Sequence, residues 1–249
     1  MWSFSAFCDE FYVNSRLFLK LDLTPTRETL LHFMEQIRRA FPRMTRLRRR
    51  ENDSLVLDEE NRESQGRRFL RVDNRALRFG CTRPPALNAV NSFADMILQQ
   101  APHHLSLSDL DFDYMEVSYG FDLDYRGNHD ELVAETIFAD LPLLQAMTRD
   151  RERVIDCQPF FGVKLTEDCE KQVFIEVKGR TSTFEIRTGE YETTPLSVIV
   201  TVRRYWGFAD DRDLVEVHRD LLETGQHYAA QCAVPYLVQP LAAAIASRS

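Results

Sequence analysis

The chain has 249 residues, of which 44% are hydrophobic, 28% charged and 11% aromatic, a balance that excludes a fibrous or a disordered protein. Its net charge of −8 is unevenly spread: residues 1–107 carry 17 Lys+Arg against 13 Asp+Glu, net +4, and residues 108–249 carry 14 against 26, net −12. Opposite signs on the two halves favour their docking on each other, or head-to-tail contact between copies, and work against one uniformly basic nucleic-acid surface.

Phe11 to Leu23 alternates apolar odd positions with even ones that include Asn14, Arg16, Lys20 and Asp22, the pattern of a strand buried on one face. Thr24-Pro25 reads as a helix start, and Leu30, Phe33, Met34, Ile37 and Phe41 form a stripe that Pro42 closes. Strands are predicted at about Met44–Arg50, Ser54–Asp58, Arg67–Val72 and Ala76–Cys81, with turns at Asn52-Asp53, Gln65-Gly66 and Asp73-Asn74, as in an antiparallel meander. After Pro84-Pro85 a second amphipathic helix carries Leu87, Val90, Ala94, Ile97 and Leu98 and is expected to end by Pro102.

The second half begins in the same way. Asp111–Tyr125 places Met115, Val117, Tyr119, Phe121 and Leu123 on one face and Glu116, Ser118, Gly120, Asp122 and Asp124 on the other. Asn128 with Glu131 has the spacing of a helix cap, and Pro142 interrupts or restarts the helix that follows. Strands are predicted at Val154–Leu165, Gln172–Lys178, Ser182–Arg187 and Leu196–Trp206. Asp210 or Asp211 is placed to cap a helix through Leu214, His218 and Leu222 that Gly225 ends, before a last helical stretch broken near Pro235 and Pro240.

Each half thus reads strand, helix, four strands, helix. The expected fold is α+β: two tandem β-α-β4-α units, 1–107 and 108–249, that share an extended, curved antiparallel sheet with helices on one face and pack as one globular unit. This order resembles the duplicated TATA-box-binding-protein-like fold. That family presents a basic, Phe-wedged underside to the minor groove, whereas the polar positions here include Asp22, Glu116, Asp122 and Asp124; no DNA-contacting residue is carried over. The segments Arg67–Phe79, Asp113–Tyr119 and Leu196–Leu222 also resemble parts of a sporadically distributed family of bacterial proteins of about 250 residues, which implies no activity.

The nine glycines form neither GxGxxG nor a P-loop, and GxSxG, HExxH and kinase signatures are absent. No cofactor is expected, and the reading leans away from an enzyme. His103-His104 beside Asp109 and Asp111 offers metal-ligand types but reads as a solvated loop after Pro102, so no metal site is expected. Asp122 and Asp124 share a strand face and read as solvated. Glu116, mid-strand opposite the apolar stripe, needs a basic partner that Arg16 or Arg203 would supply. On the last strand the odd face shows Thr201, Arg203 and Tyr205, suited to an anionic or planar partner. Arg16, Glu116, Arg203 and Tyr205 are therefore the candidate ligand-binding residues.

Seven arginines crowd into 13 residues: Arg38, Arg39, Arg43, Arg46, Arg48, Arg49 and Arg50. Such a patch suits phosphates, but Glu51, Asp53, Asp58, Glu59 and Glu60 follow at once, and cross-strand pairing would set them opposite the arginines. Five cysteines without CxxC spacing fit reduced thiols, the N-terminus lacks a basic region of the secretory type, and the apolar runs fall short of the roughly 18–20 residues of a membrane span. A cytoplasmic protein with no membrane association is expected. Three functions stand in order: a binding or assembly protein using the open sheet face for a protein partner or self-association; a small-ligand or enzyme site between the repeats; and nucleic-acid binding through the Arg38–Arg50 patch, the least expected.

Overall fold

The computed structural model describes residues 4–50, 54–60, 66–149, 152–207 and 213–248. The first half supplies β1 (Glu10–Leu19), α1 (Arg27–Ala40), β2 (Arg46–Arg49), β3 (Leu55–Asp58), β4 (Arg67–Asp73), β5 (Ala76–Thr82) and α2 (Leu87–Leu105). The second supplies β6 (Phe112–Tyr125), α3 (His129–Ile137), α4 (Pro142–Met147), β7 (Phe160–Lys164), β8 (Lys171–Lys178), α5 (Thr183–Thr188), β9 (Thr194–Tyr205), α6 (Leu214–Tyr228) and α7 (Gln239–Ala246). The nine strands form one antiparallel sheet in the order β2-β3-β4-β5-β1-β6-β9-β8-β7. In each half the first strand pairs with the last, and the two first strands, β1 and β6, meet at the centre with Arg16 opposite Glu116.

Alternation decides which face is dry. Phe11, Val13, Leu17 and Leu19 of β1, Met115, Val117, Tyr119 and Phe121 of β6, and Val198, Val200 and Val202 of β9 are all buried beneath the helices. Every such residue removes apolar area from water at about 25 cal/mol per Å², so the phase of these strands fixes the side on which the helices settle. α2 packs on β5, and α6 lies across β6 and β9. Phe4, in a short helical turn at the start, adds its ring to Phe11, Phe121 and Tyr119 at 5.3, 5.6 and 6.2 Å.

Several local readings are corrected. α1 is capped by the Thr26 side chain, which accepts from the Thr29 amide. α2 runs through Pro102 to Leu105, so His103 and His104 sit in its last turn and not in a loop. Within the predicted strand at Val154–Leu165 only Phe160–Lys164 is extended. Ser182–Arg187 is not a strand but the N-cap and body of α5: the Ser182 hydroxyl accepts from the Glu185 amide, and the Glu185 carboxylate accepts from the Ser182 amide. This reciprocal cap commits the segment to a helix, and the second half has three strands after its first helix pair where the first half has four.

Asp210 and Asp211 lie outside the described residues, and α6 is capped by Asp213, which accepts from the Val215 and Glu216 amides. Gly225 does not end the helix. It lets α6 approach the sheet, because a Cβ there would meet the Tyr119 ring at 2.7 Å. The helix continues through Ala229–Val238 with the wider π winding and into α7. Pro235 has no N–H for the regular i→i−4 bond, and the changed winding absorbs it where a break was expected. The resulting 33-residue helix, Leu214–Ala246, contains a stretch long and apolar enough to cross a membrane, contrary to the reading of the apolar runs. One side of the helix, with Leu221, Leu222, Ala229, Ala233, Val234, Val238 and Leu241, is buried against the rest of the chain, while most of the apolar stretch is not buried. The five cysteines are free thiols.

Candidate functional site

The face of the sheet turned away from the helices is a shallow hollow of about 680 Å³ crossing the seam between the two halves. Strand register sets its floor in rows. One row reads, from β4 to β9, Arg71, Arg78, Arg16, Glu116 and Arg203, each residue directly opposite the next. At about 4.8 Å between neighbouring strands this row is roughly 19 Å long. A parallel row carries Phe69, Gly80, Asn14, Ser118, Thr201 and Phe174.

Glu116 is the pivot. It is 7% exposed, and its carboxylate takes Arg16 Nη1 at 3.2 Å from the first half and Arg203 Nη2 and Nε at 2.8 and 3.1 Å from the second. Arg203 also donates to the Tyr205 hydroxyl at 3.2 Å, and its guanidinium lies over the Tyr114 ring at 4.4 Å. The four residues singled out from the sequence thus form one contiguous network. A carboxylate held by one guanidinium from each half ties the two halves together at the seam.

Sequence reasoning missed the other arm of the row. Asp73 takes Arg71 at 2.5 Å and Arg78 at 2.7 Å. Burial, and next the adjacent Arg16, hold the Arg78 guanidinium below its usual range despite Asp73. Among the described residues the hollow is lined by Arg16, Arg50, Arg67, Arg71, Arg78, Lys178 and Arg203 and by the carboxylates Glu116 and Glu176, with Asp73 and Asp58 pairing three of these arginines from beside it. The available signal was the same-face alternation Arg67, Phe69, Arg71, with Arg78 on the next strand. It becomes informative only once β5 is known to lie against β1. Tyr12 covers Gly120 on this face: a Cβ at Gly120 would fall 2.0 Å from the ring.

Asp122 and Asp124 share this face, as expected, but differ in surroundings. Asp122 is half-buried, accepts from the Ser197 hydroxyl at 2.6 Å, and has its pKa raised by that burial; Asp124 is exposed.

The arginine-rich run is dispersed. Arg38 and Arg39 pair with Glu35 on α1. Arg43 lies 3.7 Å from the buried Glu59, which also holds Arg68 at 3.0 Å. Arg46, Arg48 and Arg49 lie on the exposed edge strand β2, where Arg48 contacts Asp58 and Arg67 reaches the same carboxylate at 2.5 Å; Arg50 lines the hollow. Asp58 and Glu59 therefore meet the arginines as the cross-strand reading anticipated, and Glu51 and Asp53 lie outside the described residues.

Among the described residues no group of three or more His, Cys, Asp or Glu is arranged to hold a metal ion. No family model and no curated protein matches the sequence. Among solved structures, the di-domain ARO/CYC BexL from the BE-7585A biosynthetic pathway aligns over 94% of this chain and 98% of its own, with 8% identity and a TM-score of 0.20, a likeness too slight to carry an argument.

Proposed function

We propose that this chain is a binding protein whose open sheet face holds an acidic segment of a protein partner across the seam between its two halves. The observation that supports this most is the arginine row Arg71, Arg78, Arg16 and Arg203, part of a hollow lined by seven cations and two carboxylates in a chain of net charge −8. The roughly 19 Å row matches about six residues of extended chain at ~3.3 Å each. Asn14, Ser118 and Thr201 add hydrogen-bonding groups between the charges, and Phe69 and Phe174 add apolar surface at either end. The TATA-binding-like arrangement of the two halves belongs to the same reading, with an acidic partner in place of DNA. A small-ligand or catalytic site at the seam is less favoured, because Glu116 is already committed to two arginines.

The test is fluorescence anisotropy with a labelled hexaglutamate peptide at low and at moderate salt. Saturable binding is expected that weakens as salt rises and falls about tenfold in Arg78→Ala, in line with loss of one partly desolvated charge contact. Absence of saturable binding at low salt, indifference to Arg78→Ala, or tighter binding of a single-stranded oligonucleotide than of the peptide would each overturn the reading.

A further inference from the structure

The two edges of the nine-stranded sheet are unlike. β2 ends one side with Arg46-Leu47-Arg48-Arg49, and β7 ends the other with Phe160-Phe161-Gly162-Val163-Lys164. β7 is the last strand of the order, so its outward N–H and C=O groups take no part in the ladder. Phe160, Phe161 and Val163 are 60%, 58% and 54% exposed. On the helix side of the sheet the apolar rows Val202, Val173, Val163 and Val200, Ile175, Phe161 run outward from β9 through β8 and stop at this edge. An exposed apolar edge of this kind is ordinarily guarded by charge, proline or a bulge; here the one charge is Lys164, at the strand's end.

We propose that two copies of this chain join through antiparallel pairing of their β7 strands about Gly162. The pairing is self-complementary. A two-fold at Gly162 sets Phe161 opposite Val163 of the other copy on the helix side, and Phe160 opposite the aliphatic stem of Lys164 on the groove side, with no like charges facing. The same operation on β2 would set Arg46 opposite Arg49 and Arg48 opposite Leu47, so that edge repels itself. Gly162 suits the centre of the pair: Phe174 packs over it, with its ring 2.7 Å from where a Cβ would stand, and Phe160 stacks on Phe174 at 5.5 Å. The product is a closed dimer with an eighteen-stranded sheet, whose two basic hollows become continuous. The inference does not depend on what the hollow binds.

The contact is small for a protein–protein interface. From the exposures above, the three side chains offer roughly 300 Å² of apolar surface per copy, against the ~800 Å² per partner of a stable complex. The dimer is therefore weak and concentration-dependent, with an expected Kd of about 100 μM.

Sedimentation velocity from 5 to 500 μM is expected to show a monomer–dimer equilibrium, and hydrogen exchange at the amides of residues 160–164 is expected to slow as concentration rises. The double variant Phe161→Lys, Val163→Lys faces lysine with lysine and is expected to stay monomeric with an unchanged thermal melt, while Leu47→Lys on the other edge dimerises as the parent does. A monomer at every concentration, growth beyond the dimer, or loss of the dimer in Leu47→Lys but not in the double variant would overturn the proposal. If the double variant fails to fold, the exchange measurement on the parent chain decides: protection of 160–164 that does not rise with concentration refutes the pairing.

Discussion

Ser15 and Arg16 are neighbours in the chain, and a strand's alternation sends them to opposite sides of the sheet. Below it, Ser15 Oγ meets His218 Nε2 at 2.8 Å in a dry core, where His218 is fully buried against Phe79 and its Nδ1 has no partner. Above it, Arg16 joins a half-wet network with Glu116 and Arg203. The core favours a polar pair of neutral partners, since an ionised imidazole there would lose its hydration and Asp95, already paired with Arg219, offsets that loss only in part. The open face accepts full charges because water still reaches the guanidiniums. One strand therefore carries two polar clusters that differ in how they respond to protons and to ions.

The largest expected effect separates them by pH. Burial, outweighing Asp95 and reinforced by Arg219, pushes the His218 pKa down from 6.5 to about 4. Between those values the unfolded chain binds a proton that the folded chain refuses, so stability present above pH 6.5 is lost as pH falls toward 4. A shift of this size corresponds to up to about 3 kcal/mol. Urea unfolding at pH 7 and pH 4.5 is expected to show this loss in the parent and a much smaller one in His218→Gln, whose amide still bonds Ser15 and does not titrate in this range. His129, also held down by burial, leaves a residual slope in both. Parallel slopes in the two proteins would remove the distinction between the dry and the wet cluster.

Next comes Glu116→Gln, which acts on the wet cluster with two opposite signs. The amide retains the shape but leaves Arg16 and Arg203 facing each other without a counter-charge, a loss of about 1–3 kcal/mol for a partly solvated pair. The same change makes the hollow one unit more positive. Affinity for hexaglutamate is expected to rise about threefold to tenfold while thermal stability falls. Affinity and stability falling together would mean that Glu116 contacts the partner and does not merely hold the seam.

How much of this was legible in the sequence follows from the range of the interactions involved. Period-2 alternation marks Phe11, Val13 and Leu17 as core and Arg16 as outward-facing, because a strand's two faces are a local property. The same logic, with only the choice of strand pairing left open, names Arg16 or Arg203 as the partner of Glu116; both serve. What was hidden depends on packing or on neighbouring strands. Gly225 carries the usual mark of a helix end, yet it exists for the approach of Tyr119 from β6, more than a hundred residues away in sequence. Ser182–Arg187 has residues acceptable in a strand, and only the reciprocal Ser182–Glu185 cap tips it to a helix. Arg71 and Arg78 are ordinary strand residues until the order β4-β5-β1 sets them in line with Arg16.

The smallest effect tests whether the network above the sheet has one support or several. Tyr205→Phe removes the hydroxyl that accepts from Arg203 Nη1 at 3.2 Å and leaves the ring packed on Tyr114 at 5.4 Å. Arg203 remains fixed by two bonds to Glu116 and by its stack on Tyr114, so the expected cost is about 0.5 kcal/mol, with less than a twofold change in peptide affinity. Thermal unfolding and anisotropy measured side by side decide it. A loss above about 2 kcal/mol, or disappearance of binding, would show that Arg203 is oriented by the hydroxyl. The contrast between a charge-held face and a hydrogen-bond-held core would then have to be redrawn, with both clusters resting on a single neutral hydroxyl.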